Sequence, residues 1–323
     1  MTWQSLPCDP RVATELETSL RAGRLGPSLL FCGPAGAGKR AAALHLAQAL
    51  LCAAPERPCG ACSACRRAAA GQHPDFKTWE AEGREVKVEQ ARALRAATQM
   101  RPFEAPVQVH LIPEAERLNE EASNALLKTL EEPSPRSVLI LLSTAPSLLL
   151  PTIRSRCQAY RFPPLARDSV RARLEREDAV AASEAAWRAR LARGSLVRAR
   201  ALAADEPARA AAAVAALEGL VRSPLTGSVV EAAERWSGEA PPERPIERLL
   251  DLCRDAVMAA EGVPDDALLY PELRARLAAL GSTLAATLPA TLERLEGALA
   301  DLRRPMRANL LLEEATLLLL GLA

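Results

Sequence analysis

Residues 28–40 read SLLFCGPAGAGKR, a short apolar run that closes on a glycine-rich segment and a lysine. The Ala- and Leu-rich segment that follows, residues 39–51, has the composition of a helix. A strand, a glycine-rich turn and a helix in this order fit the G-x-x-x-x-G-K phosphate-binding loop, whose backbone N–H groups surround phosphate oxygens at the positive end of the helix. The bland alternative is a turn that only caps the helix. We predict a phosphate cradle built from Gly33, Gly36, Gly38 and Lys39.

The two positions of this motif that should bind Mg²⁺ both lack a metal ligand. The position after Lys39 should hold Ser or Thr, whose hydroxyl binds Mg²⁺, but it is Arg40, whose guanidinium has no lone pair for a metal. An Asp is expected after the predicted strand 107–112, and that position is Pro113, followed by Glu114. Hydrolysis requires the charge between the β and γ phosphates to be neutralised. We therefore expect that ATP or ADP binds weakly at most and is not hydrolysed.

Strand and helix patterns alternate through the first half of the chain, as a parallel sheet with flanking helices requires. A helix is predicted at residues 119–132, with Asn119 as its N-cap. After Pro163 and Pro164 strand signals nearly vanish. Strands are predicted at residues 28–32, 75–79, 107–112 and 137–144, and domains at 1–164 (α/β), 165–205 (small, helical, with a turn at Gly194-Ser195) and 206–323 (all-helical, with a loop at 238–245).

Composition limits the function classes. Hydrophobic residues make up 49% of the chain and charged residues 25%, which is ordinary for a globular protein. A net charge of +1 argues against a dedicated nucleic-acid binder, so we expect DNA contact to be local or shared with partners. No apolar run reaches the roughly 18 residues of a membrane span, and the first ten residues show no signal-peptide pattern, so the cytoplasm is expected.

Four of the eight cysteines lie close together, spaced C-x6-C-x2-C-x2-C. Two-residue gaps let thiolates converge on one ion, and four sulfurs complete a closed tetrahedral site, which predicts a structural zinc module at about residues 52–65. A thiol-redox role is the alternative, since C-x-x-C also occurs in thiol oxidoreductases. His73 is expected to be a loop residue rather than a ligand. The predicted ligands are Cys52, Cys59, Cys62 and Cys65.

Several local motifs, in this order, resemble the AAA+ clamp-loader family of bacterial DNA polymerase III. Residues 124–133 read NALLKTLEEP and are similar to the family's helix after its second metal-binding strand. Ser155-Arg156-Cys157 resembles its S-R-C motif, and the cysteine cluster lies where the family has it. His73-Pro74-Asp75 also fits. The resemblance is dense from about residue 25 to 164, thinner to about 202, and only compositional beyond.

The resemblance implies an AAA+ module, a lid and a helical collar that assembles into a ring. It implies that Arg156 is an arginine finger, which reaches the γ-phosphate held by a neighbouring motor subunit. Thr144 matches the sensor-1 region, but in a site without metal ligands we expect it to be a strand-end residue rather than a sensor. Arg198 matches the sensor-2 position, with an ordinary helix-surface arginine as the alternative. Arg40 and Pro113 favour the family's non-hydrolysing stator type. The implied partners are gamma/tau-type motor subunits and a delta-type clamp-opening subunit, with the sliding clamp and primer-template DNA reached through the complex.

The chain is thus expected to be inactive as an isolated ATPase and to work as a component of a DNA polymerase holoenzyme. Two alternatives remain open from the sequence. One is an active motor ATPase of the same family, in which another group replaces the lost Mg²⁺ ligands. The other is a zinc-bearing adaptor or thiol-redox protein with a vestigial nucleotide fold.

Overall fold

A five-stranded parallel sheet lies at the centre of the first part of the chain. The computed structural model describes residues 2–83, 85–223, 226–237, 243–301 and 308–322. The spatial order of the strands is β2-β3-β4-β1-β5, and every pair is parallel. The strands are β1 (Ser28–Cys32), β2 (Phe76–Thr78), β3 (Gln108–Ile112), β4 (Ser137–Ser143) and β5 (Gln158–Arg161).

Helices flank this sheet and then follow it along the chain. Six of them lie between or before the strands: α1 (Pro10–Arg21), α2 (Lys39–Leu51), α3 (Ser63–Ala69), α4 (Val88–Thr98), α5 (Glu120–Glu131) and α6 (Pro151–Arg156). Three more follow β5: α7 (Arg167–Glu177), α8 (Ala182–Leu191) and α9 (Leu196–Ala201). The predicted parallel sheet with flanking helices is confirmed.

Alternate residues of each strand enter different cores, because successive side chains point to opposite faces of a sheet. Leu29 and Phe31 of β1 pack with α1 and α2 on one face. Leu30 packs with Leu126 of α5 and Ile153 of α6 on the other. All seven residues of β4 are buried, as expected for a central parallel strand covered on both faces.

Local sequence signals account for the main elements. The Asn119 side chain accepts a hydrogen bond from the Ala122 N–H at 2.8 Å, and α5 begins at the next residue, which confirms the predicted cap. The four predicted strands and helix α2 are present, within a residue or two of the expected bounds. The sequence analysis missed α1, α3, α4, α6 and β5.

The described secondary structure of the second part of the chain consists of helices joined by short turns and loops. Its helices are α10 (Glu206–Arg222), α11 (Thr226–Ser237), α12 (Glu243–Ala260), α13 (Arg274–Thr283), α14 (Leu288–Asp301) and α15 (Ala308–Leu319). The predicted loop at 238–245 is in part wrong, because α12 already begins at Glu243; residues 238–242 lie outside the described residues.

A buried ionic cluster lies inside this helical part. The Glu206 carboxylate accepts hydrogen bonds from Arg244 at 3.0 Å and from Arg248 at 2.9 and 3.0 Å. The Tyr270 hydroxyl lies 3.3 Å from the same carboxylate. Because a buried charge is costly unless it is paired and hydrogen-bonded, these partners fix α10 and α12 in one arrangement.

The chain divides into two compact units, Met1–Ala201 and Leu202–Ala323. The first includes α7–α9 together with the sheet, and the second is the helical part. The three-way division at residues 164 and 205 stays a prediction. In the parts of the chain that the structure describes, no helix is both long and apolar enough to cross a membrane.

Candidate functional site

The glycine-rich loop connects β1 to α2, where the chain itself packs closely around it. Gly38 is the N-cap of α2 with φ +86°, and a Cβ there would lie 1.8 Å from the Pro7 carbonyl oxygen. Gly36 has φ +76°, and a Cβ there would lie 2.1 Å from the Ser195 hydroxyl. Both positions therefore require glycine for backbone conformation and for space. The fold brings the predicted cradle residues together at the N-terminus of one helix.

Lys39 is turned back onto this loop. Its side-chain ammonium donates to the carbonyl oxygens of Gly33 and of Pro34, the latter at 2.8 Å. The residue is only 8% exposed, and this burial lowers the pKa of Lys39, although the nearby Glu116 carboxylate raises it. In this arrangement the lysine ammonium is hydrogen-bonded to the loop itself.

The two positions that should bind Mg²⁺ offer no ligand. Arg40 forms an ion pair with Glu80 at 2.9 Å. Pro113 is buried at the end of β3. Glu114 has φ +52°, and its carboxylate pairs with Arg117 at 3.0 Å. The two expected positions thus hold a cation and a proline ring, neither of which can bind a divalent metal.

A pocket of about 350 Å³ lies over this loop. Its walls join the segments that the sequence analysis singled out separately. They are the loop residues Gly36, Gly38, Lys39 and Arg40, the pair Pro113 and Glu114, the strand end Ser143 and Thr144, and Leu196, Val197 and Arg200 of α9.

Glu116 is a residue of this site that the sequence analysis missed. Its carboxylate accepts hydrogen bonds from the Thr144 N–H, at 3.0 Å, and from the Thr144 hydroxyl. Burial raises the pKa of Glu116, but the hydrogen bonds from Thr144 and Ser143 outweigh it and hold the pKa below its usual value. An ionised carboxylate therefore accepts the hydrogen bond that the Thr144 hydroxyl can donate. The one signal in the sequence was its place two residues after Glu114.

Helix α9 closes the pocket from the other side. The Leu196 N–H donates to the Gly36 carbonyl at 3.3 Å, which ties the start of α9 to the phosphate loop. The arginine of α9 in the pocket wall is Arg200, which pairs with Asp178 at 2.8 Å and Glu177 at 3.0 Å. Arg198, which the resemblance matched to sensor 2, is half-buried in the same helix.

The four clustered cysteines meet at one point. Cys52 follows α2, Cys62 is the N-cap of α3 and Cys65 lies within α3. All four sulfurs lie within 4.8 Å of one another, with separations of 3.7 Å (Cys52–Cys59), 3.9 Å (Cys52–Cys62) and 4.0 Å (Cys59–Cys65). A tetrahedral zinc site with Zn–S bonds of about 2.3 Å places its sulfurs about 3.8 Å apart. The four residues fit a metal ion.

Local hydrogen bonds resemble those of a metal knuckle. The Cys62 N–H donates to Cys59 Sγ, and the Cys65 N–H donates to Cys62 Sγ, each at 3.4 Å. Backbone N–H groups of Cys62 and Ala61 lower the pKa of the Cys59 thiol to about 6, whereas burial raises that of Cys65 to about 12. His73 is engaged elsewhere: its Nε2 lies 2.9 Å from Glu104, and its Nδ1 accepts the Asp75 N–H.

Arg156 lies at the C-terminal end of α6 on the surface. Its guanidinium donates to the Thr152 carbonyl at 3.1 Å and pairs with Glu131 of α5 at 2.8 Å. It is not among the residues that line the pocket over the chain's own phosphate loop. The side chain is about one-third exposed, so a group from another molecule can reach it.

The chain is similar in sequence to known proteins, and the family match lies within the first unit. Residues 8–166 match the family described as DNA polymerase III, delta subunit. The chain is 34% identical over 180 residues to DNA polymerase III subunit delta′ of Bacillus subtilis, covering 55% of each protein. It is 47% identical over 138 residues to the same subunit of Pseudomonas aeruginosa, covering 42% of each.

A motor-type relative aligns over a longer stretch. DNA polymerase III subunit tau of Escherichia coli is 34% identical over 274 residues, which is 81% of this chain and 41% of that protein. The chain therefore spans about half, or less, of the length of these three relatives.

Proposed function

The chain belongs to the delta-prime clamp-loader family of DNA polymerase III, and from that premise we propose that it is the non-hydrolysing stator of a clamp-loader complex. In this role it assembles in the cytoplasm with gamma/tau-type motor subunits and a delta-type clamp-opening subunit. Through that complex it helps to place the sliding clamp on primed DNA during replication. Its own ATP site is silent, and it supplies an arginine finger to a neighbour.

The observation that carries this proposal is that the phosphate loop keeps its phosphate-binding residues but lacks its metal ligands. Its glycines and Lys39 keep the geometry of a cradle, while the metal positions hold Arg40, paired with Glu80, and Pro113. Two losses at two metal-binding positions favour a site that no longer neutralises the charge of a β,γ-phosphate bridge. Lys39 donates to the loop's own carbonyls, which also favours a structural role for this lysine.

Arg156 is the group that we propose acts in trans. A guanidinium is planar and always charged, so it stabilises the spread negative charge of a transferring phosphoryl group. Its partner in the chain, Glu131, is half exposed, and such surface ion pairs contribute only about 0–1 kcal/mol. Exchanging this carboxylate for a phosphate of a neighbouring subunit therefore costs little.

We further propose that Cys52, Cys59, Cys62 and Cys65 hold one structural zinc ion. Four thiolates leave no open coordination position, so the ion would supply no catalysis and would fix the loop between α2 and α3. That loop has few other means of support, since Cys59 and its neighbours are exposed.

The test of the silent site uses the purified chain with ATP and Mg²⁺. The proposal predicts no turnover above background. The 34% identity to a tau subunit over most of the chain makes the motor ATPase the second candidate. Turnover that Lys39→Ala abolishes would establish that candidate instead.

A further inference from the structure

A second cleft, of about 970 Å³, opens beside the phosphate loop at the edge of the sheet. Its floor is formed by Leu30 and Cys32 of β1 and by Ala159 and Arg161 of β5. In the register of the two strands Leu30 pairs with Ala159 and Cys32 with Arg161. The four side chains therefore point to the same face of the sheet.

This face is left uncovered at β5. On the opposite face Tyr160 and Phe162 are buried against the core, whereas Ala159 and Arg161 are exposed. Strands of a parallel sheet are normally covered on both faces. Within the described residues β5 is the last strand at its end of the sheet, so both its edge and one of its faces are open.

Three arginines from three different elements surround the cleft. Arg11 comes from α1, Arg154 from α6 and Arg161 from β5, and all three are exposed. The one acid in the wall is Asp9, whose carboxylate already accepts the Arg11 N–H at 2.8 Å and caps α1. The cleft therefore carries a local excess of positive charge on a protein whose net charge is only +1.

These arginines differ from their neighbours in lacking partners. Arg21, Arg40 and Arg156 each form an ion pair at 2.8 to 2.9 Å. Among the described residues, no side-chain hydrogen bond or ion pair engages Arg11, Arg154 or Arg161. Each guanidinium is free to form new charge-assisted bonds without breaking old ones.

We propose that this cleft, which we call the β5 cleft, is a docking surface for an acidic, partly apolar segment of a neighbouring protein subunit. Guanidinium groups bind carboxylates in bidentate geometry, and apolar walls provided by residues such as Val12, Pro146 and Pro163 bury the aliphatic parts of the same segment. That the neighbour is a clamp-loader subunit rests on the proposed function.

A protein segment fits the β5 cleft better than a nucleic acid does. Proteins that hold single-stranded nucleic acid stack bases on exposed aromatic rings. The aromatic residue in this wall, Phe162, is buried at 1% exposure, and the rest of the lining is aliphatic or proline apart from its polar groups. The arginines of this wall are instead complementary in charge to carboxylates.

The direct test is a titration of the full chain with a peptide of alternating glutamate and leucine residues, read by fluorescence anisotropy. The Arg11→Glu/Arg161→Glu variant leaves α6 untouched and is expected to weaken binding about tenfold or more, because it turns two attractive charges into repulsive ones. Arg21→Glu, also on α1 but outside the cleft, is the matched control and should stay within about twofold. Thermal unfolding checks that the exposed substitutions leave the fold intact.

The same variants are then titrated with the gamma/tau-type subunit, at about 0.1 M and about 0.5 M salt. At low salt the double variant is expected to bind this subunit more weakly than the wild type does. Its affinity is also expected to change less between the two salt concentrations. Unchanged binding of both peptide and subunit overturns the inference, as does loss of affinity for a primed duplex with affinity for the peptide retained. If wild-type chain binds the peptide but not the subunit, the proposed function fails while the β5 cleft stands.

Discussion

The Asp75 carboxylate holds the backbone of residues 103–105 in place. It accepts the backbone N–H groups of Phe103, Glu104 and Ala105 at 2.6, 2.9 and 2.9 Å. Burial raises the pKa of Asp75, but these three hydrogen bonds prevail and bring the pKa below its usual value of 3.8. The loop that exposes Phe103, at 82%, is therefore held by one ionised group.

Asp75→Ala is expected to lower the free energy of unfolding by about 1–3 kcal/mol at pH 7, because it leaves buried donors without an acceptor. A depressed pKa means that this stabilisation is present above the unfolded pKa of about 3.9 and is lost as pH falls through the lower, folded value. Urea unfolding of wild type and variant between pH 7 and pH 3 measures it. If the difference in unfolding free energy between wild type and Asp75→Ala grew towards acid pH, this role of Asp75 would be contradicted.

At the scale of elements, α3 connects the cysteine module to the same loop. Arg67 of α3 pairs with the Glu104 carboxylate, and His73 Nε2 lies 2.9 Å from it. Burial is the main cause of the lowered pKa of His73, so this histidine is neutral at pH 7. Any loosening of α3 is thus transmitted to residues 103–105 through Glu104.

Removing the proposed zinc ion with a chelator is expected to speed hydrogen exchange at the amides of residues 103–105, because α3 would lose its proposed anchor at Cys62 and Cys65. Amides of the buried strand β4 serve as the internal control. Glu104→Ala removes the acceptor of Arg67 and His73 and so cuts this link, and the chelator should then add little at these amides. Release of zinc with unchanged exchange at residues 103–105 in the wild type would refute the link.

Helices α12 and α13 approach each other closely at Gly281. A Cβ there would lie 2.2 Å from the Ala256 carbonyl oxygen, a backbone atom that cannot move alone. Gly281→Ala should therefore destabilise the second unit by about 1–3 kcal/mol through overpacking. Gly219→Ala, on α10 with nothing within 4 Å, is the matched control and should be neutral or stabilising by up to about 1 kcal/mol. Thermal unfolding measures the stability of the two variants. If Gly281→Ala and Gly219→Ala changed the stability equally, this close packing at Gly281 would be contradicted.

The elements that could be predicted from the sequence are those with strong local signals. Strand β1, its glycine turn and α2 combine an apolar run, breakers and helix-forming residues, and Asn119 marks the start of α5. Strand β5 has four residues of which only Tyr160 is buried, and α6 has six, too few for a periodic pattern. The contacts of Glu116 with Thr144 and of Gly36 with Leu196 join residues far apart in sequence, so no local pattern could reveal them.

At the scale of the molecule, the groups engaged in internal contacts and the groups available to other molecules lie in different places. Lys39 and Glu116 are turned inward to the chain's own carbonyls and hydroxyls at the phosphate loop. Arg156 and the three arginines of the β5 cleft face outward on α1, α6 and β5. The proposed role in a complex follows from this arrangement, since the groups that remain available lie on the surface.

The most direct test is the ATPase rate of the complex reconstituted from this chain with its gamma/tau-type and delta-type subunits, comparing Arg156→Ala with Lys39→Ala. Arg171→Ala, an exposed arginine paired with Glu175 on α7, is the control for charge removal. We predict that Arg156→Ala leaves assembly intact and slows turnover at the completed site by on the order of 10³-fold, while Lys39→Ala and Arg171→Ala leave the rate unchanged. An unchanged rate with Arg156→Ala, together with a loss of turnover in Lys39→Ala, would contradict the account.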